Sequence, residues 1–110
     1  MKLNIRARHL DLTPALRDQL HRRLDFALGR LATAIRTIDV TIVDVNGPKG
    51  GADKQCRIRV RGPALHEIVI EHVGADVAAT LSLAAERASR AVARSMDRRR
   101  SFAPAPALAT

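Results

Sequence analysis

The side chains of this sequence that could carry chemistry are four histidines, one cysteine, scattered carboxylates and sixteen arginines. His9, His21, His66 and His72 fall in no metal-ligand spacing, and Cys56 has no neighbouring Cys or His to complete a zinc set. His66 and His72 lie on or beside the inward register of a strand, where a partly buried, hydrogen-bonded imidazole is expected. Cys56 reads as a small core residue and not as a nucleophile. Asp39 and Asp44 are five apart in an extended segment, hence on opposite faces, and make no carboxylate pair for acid–base work. Neither GxxxxGK[ST] nor GxSxG occurs, and Gly47, Gly50 and Gly51 lack the strand-to-helix setting of a phosphate cradle. The expectation is a protein that is not an enzyme, with no cofactor, no metal and no small-molecule substrate.

The arginines point elsewhere. Nineteen Lys and Arg against eleven Asp and Glu give a formal charge of +8. Such an excess favours a polyanionic partner, because the guanidinium meets phosphate as a planar fork and phosphate contacts supply most nonspecific affinity. A generic basic surface is the plain alternative. Arg87, Arg90, Arg94 and Arg98 recur at three or four, so they share one exposed flank of a helix, and Arg98-Arg99-Arg100 closes the run. An earlier helix carries Arg17, Asp18, Arg22, Arg23, Asp25 and Arg30 away from its apolar stripe. Two helices side by side on a sheet can pool such charges into one field. With Phe26 and Phe102 as the whole aromatic complement, a stacking platform of the RRM or OB kind is disfavoured. Recognition of folded RNA through phosphates and shape fits better.

Elements to position these residues follow from periodicity. Residues 2–8 alternate, with Leu3, Ile5 and Ala7 on one side. Thr13-Pro14 reads as an N-cap and first helical residue, and Leu16, Leu20, Leu24, Ala27 or Leu28, and Leu31 make one stripe of a helix over about 14–32. From Ile35 to Val45 the period returns to two, with Ile38, Val40 and Ile42 facing one way. Residues 46–51 read as a hairpin loop, followed by a strand over about 54–61 with Cys56, Ile58 and Val60 inward and Arg57, Arg59 and Arg61 outward. Gly62-Pro63 turns into a fourth strand over about 65–73, whose Glu67 and Glu71 should face that arginine row. Asp76 stands where it could cap a last helix reaching about 98, with Val77, Leu81, Ala84 or Ala85, Ala88 and Val92 as its apolar stripe.

The order β-α-β-β-β-α, with one apolar face per strand and one apolar stripe per helix, predicts a two-layer α/β (α+β) domain: a four-stranded mixed sheet carrying both helices on one face. The crossover makes the first two strands parallel if adjacent, and short hairpins make the others antiparallel. A chain of 110 residues has room for one such domain, placed at 1–98, with a basic and then Ala/Pro-rich disordered tail over 99–110. The N-terminus resembles neither a signal peptide nor a membrane span and a lone cysteine implies no oxidising compartment, so the expected location is cytoplasmic, without a membrane partner.

Lys2-Leu3-Asn4-Ile5, Leu12-Thr13-Pro14-Ala15-Leu16-Arg17, Leu65-His66, and Asp76 to Val92 with Ala79, Leu81, Arg87, Arg90 and Val92 in place together resemble one family. It is the ribosome hibernation promoting factor and ribosome-associated inhibitor family, once labelled sigma-54 modulation proteins, and the likeness covers about residues 1–98. The resemblance implies a noncatalytic protein on the small ribosomal subunit, in the channel of messenger RNA and the A- and P-site transfer RNAs. There it would contact 16S ribosomal RNA, in 30S subunits and 70S ribosomes, and suppress translation in resting or starved cells. The family's basic positions fall on Arg87, Arg90, Arg94 and Arg98 of the last helix and on Arg17 and Arg23 of the first; Arg22 joins them on charge alone. Ala78 stands where family members commonly carry Tyr, and the short chain suggests the form without a C-terminal dimerisation domain. The rival reading is a protein-interaction or regulatory domain whose arginines bind an acidic protein; charges scattered among Glu67, Glu71, Glu86 and Asp97 would favour it.

Overall fold

A computed structural model describes residues 1–45, 53–63 and 65–102, with side chains to Arg98. Its elements are β1 (Lys2–Arg8), α1 (Pro14–Leu28), a 3₁₀ segment (Gly29–Ala34), β2 (Thr37–Asp44), β3 (Lys54–Gly62), β4 (Leu65–Gly74) and α2 (Val77–Phe102). The four strands form one mixed sheet in the order β1-β2-β3-β4, with β1 and β2 parallel and the two later pairs antiparallel. This is the expected β-α-β-β-β-α topology. The hairpin loop and most of the tail, residues 46–52 and 103–110, lie outside the described residues.

One core joins the layers. Ile5, Ile38, Val40, Ile42, Cys56, Ile58 and Val60 from the sheet meet Leu20, Leu24 and Leu28 from α1 and Leu81, Ala84, Ala85, Ala88 and Val92 from α2. The core is aliphatic throughout, and the alanines on α2 let that helix lie close to β3 and β4. Both helices therefore cover one face of the sheet, and the opposite face carries polar and charged side chains.

The structure differs from the periodicity in three local places. The first helix stops at Leu28 and not near 32, because the chain tightens into the 3₁₀ segment before turning into β2. Leu31 stays buried there, which is why the apolar spacing looked helical to the end. The last helix runs to Phe102, past the expected end near 98. His66 is exposed, because the pairing of β3 and β4 shifts between Val60 and Gly62 and releases it from the inward row; His72, opposite Cys56, is half-buried.

The entry to α1 is set by His9, which adopts the left-handed conformation at φ 62°. Thr13 Oγ1 accepts from the Leu16 amide at 3.1 Å, with Pro14 at the first turn. At α2 the Asp76 carboxylate accepts from the Ala79 amide at 2.8 Å, and the cap fixes where the arginine flank begins.

Candidate nucleic-acid interface

Burial of Leu20, Leu24 and Leu28 dictates where the remaining side chains of α1 go. A helix advances about 100° per residue, so Arg22 and Phe26 fall opposite the buried stripe and Arg23 to its side, toward α2. With Arg30 they line one side of a groove of about 950 Å³ whose other wall is Ser82, Glu86 and Ser89 of α2. Arg23 is fixed across it by donating from Nη1 to Ser82 Oγ, and its Nε is buried without a hydrogen-bond partner. Glu86 pairs with Arg90 one turn further along α2, so Arg90 sits at the rim of this groove.

The other arginines of the expected set lie outside the groove. Arg17 turns to the sheet, donating from Nη1 to the Ile5 carbonyl at 3.0 Å. Arg87 turns the opposite way, donating from Nη1 to the Glu71 carbonyl of β4 at 2.7 Å. Arg94 and Arg98 continue the Arg87 flank; both are exposed, and among the described residues neither makes an ion pair or hydrogen bond to a side chain. The seven predicted residues thus divide three ways: Arg22 and Arg23 with Arg90 at its rim, the Arg87–Arg94–Arg98 flank, and Arg17 alone near β1. Phe26 and Arg30 belong to the groove as well; the four-residue spacing Arg22, Phe26, Arg30 is the signal that could have found them.

The sheet's open face is more neutralised than its arginine count suggests. Arg59 lies 3.6 Å from Glu67, and Arg61 lies 3.0 Å from Asp39 and 4.0 Å from Glu67. Asn4 also donates to Asp39 at 2.9 Å, and that bond first, with the Arg61 and Arg6 charges, holds the Asp39 carboxyl below its ordinary range against partial desolvation. Arg57 faces Glu71 in register, as the alternation predicted. At the other end of the sheet Lys54 bridges Asp53, at 2.9 Å, and Asp44, at 3.3 Å, which raises its pKa. Asp53 is fully buried there, a structural ion-pair partner that no local pattern announced.

The Cys56 thiol is 1% exposed and its pKa is pushed up to about 12 by burial, so it is not a nucleophile. Among the described residues no three His, Cys, Asp or Glu side chains gather as a metal would require, and no helix is long and apolar enough to cross a membrane.

Fold and surface together define a two-layer α+β domain with a basic helical layer. The chain belongs to the Sigma 54 modulation protein / S30EA ribosomal protein family, whose model matches residues 3–100. Among solved structures, a ribosomal subunit interface protein from Coxiella burnetii is similar at 18% identity and TM-score 0.68, covering 86% of this chain and 96% of that one. The N-terminal domain of Protein Y from Thermus thermophilus is similar at 22% identity and TM-score 0.68, covering 86% of this chain and 98% of that one. No curated protein matches the chain. The structural likenesses carry the fold; the family carries the association with ribosomes.

Proposed function

We propose that this protein binds the small ribosomal subunit, contacting 16S ribosomal RNA in the messenger and transfer RNA channel of 30S subunits and 70S ribosomes, and so suppresses translation in resting or stressed cells. The cytoplasm is where it would act. The observation that carries the reading is the helical layer: an arginine-lined groove between α1 and α2, beside a flank on which Arg94 and Arg98 have no internal acceptor among the described residues. Guanidinium groups already spent inside the fold contribute less to a partner, and these two are unspent. Glu86, the one carboxylate among the described residues lining the groove, is already engaged by Arg90. Carboxylates that would favour an acidic protein partner are instead answered on the open face of the sheet, where Glu67 meets Arg59 and Arg61.

Charge reversal tests this directly. The triple variant R87E/R90E/R94E changes exposed positions only and is expected to keep the circular dichroism of the parent while losing binding to 30S subunits. A folded triple variant that binds 30S subunits as the parent does would overturn the assignment of α2.

A further inference from the structure

Phe26 is 92% exposed. A ring so placed contributes no burial to the fold, and single exposed apolar residues are common on soluble proteins. Its surroundings set this one apart. Arg22 precedes it by four residues and Arg30 follows by four; all three line the groove between α1 and α2, with Gln19, Ser82 and Ser89 beside them. Arg23, fixed on Ser82, holds the two walls of that groove together.

The shape of the apolar surface discriminates between partners. A protein interface needs a contiguous apolar centre, and among the described residues the other large exposed hydrophobics, Met1, Val45, Val69, Val73 and Leu83, do not line the groove. One isolated aromatic face flanked by two guanidinium groups is too small for that. It matches the needs of a single nucleotide step: a π-face for a base, and cations for the phosphates on either side.

Resting on the ribosomal reading above, we propose that Phe26 is the stacking platform for one unpaired nucleobase of the bound RNA, with Arg22 and Arg30 taking the flanking phosphates. The groove then adds a base-dependent contact to an interface whose remaining contacts are phosphate-dependent. Stacking releases no counterions, so its loss lowers affinity without altering salt dependence, whereas loss of Arg22 or Arg30 alters both.

The full chain contains neither Trp nor Tyr, so the F26W variant carries a single indole reporter at the site. Its emission is titrated with a single-stranded RNA 12-mer, with an abasic 12-mer of equal length and charge, and with 30S subunits; F26A and F26Y are compared with the parent for 30S affinity across a salt series. Expected are quenching by the 12-mer and by 30S subunits but not by the abasic strand, a loss of about 5- to 100-fold in affinity for F26A with an unchanged salt slope, and recovery in F26Y. Parent-like affinity of F26A, or unchanged F26W emission on saturated 30S subunits, overturns the proposal. Should the parent bind 30S subunits no better than a control protein of equal charge, the ribosomal reading falls by itself. The oligomers then decide the stack: quenching by the 12-mer alone upholds it, and identical emission with both strands overturns it.

Discussion

At the scale of single residues, what each arginine already touches decides what it can offer. Arg94 and Arg98 have no internal acceptor among the described residues, whereas Arg17 and Arg87 each donate to a strand carbonyl. Arg94→Ala is therefore expected to reduce the steepness of log K against log salt by about 0.7–0.9 per lost phosphate contact and to leave the melting temperature unchanged. Arg87→Ala should weaken binding and also lower the melting temperature, since it removes a tie between α2 and β4. Parallel salt titrations and thermal melts of the two variants check this. Core residues behave oppositely: Leu20→Ala, at a fully buried position, should cost about 2–5 kcal/mol by urea denaturation with RNA binding intact wherever the variant is folded. Acid stability has a residue-level origin too. Asp39 titrates below its ordinary value because Asn4 and Arg61 bond the carboxylate. Its contribution is present above the unfolded value of about 3.8 and is lost as pH falls through the lower folded value. Asp39→Asn should flatten that part of an acid-unfolding curve, and a curve of unchanged shape would show that the carboxylate contributes nothing.

Among the elements, the tightest fit lies where β3 ends. A Cβ added at Gly62 would stand 2.0 Å from the Ala34 carbonyl oxygen, and backbone cannot yield as a side-chain tip does. Gly62→Ala is expected to destabilise by about 1–3 kcal/mol through forced backbone displacement, measured by chemical denaturation. An unperturbed midpoint would contradict the close approach of β3 to the 3₁₀ segment. The strands were legible in the sequence because one face of the sheet is buried: Ile38, Val40, Ile42 and Cys56, Ile58, Val60 alternate with polar partners without interruption. The first helix was legible at Thr13-Pro14 and less so at its end, since Leu31 keeps helical spacing while the backbone has tightened after Leu28. His66 was misplaced because the shift in pairing at Val60 and Gly62 is a property of two strands together and leaves no mark on either alone.

For the molecule as a whole, periodicity identified which helix faces are basic but not how those faces are shared out. Nothing in the spacing says that Arg17 curls to β1, that Arg87 reaches the β4 backbone, or that Glu86 and Arg90 pair at the rim of a groove. Those outcomes depend on how α1 and α2 lie against each other. Side-chain rotamers and interhelical geometry are tertiary facts. The same limit hid Phe26, which counts as one aromatic in a composition and becomes distinctive only once Arg22, Arg30 and α2 surround it. The central claim is occupancy of the small ribosomal subunit by this basic helical layer, and cosedimentation addresses it most directly. The purified chain is spun with 30S subunits, 50S subunits and 70S ribosomes across a salt series, beside an unrelated protein of equal charge. Saturable binding near one copy per 30S and 70S particle, absent from 50S and exceeding the control, is the predicted result; binding no better than the control, or equal binding to 50S, would contradict it.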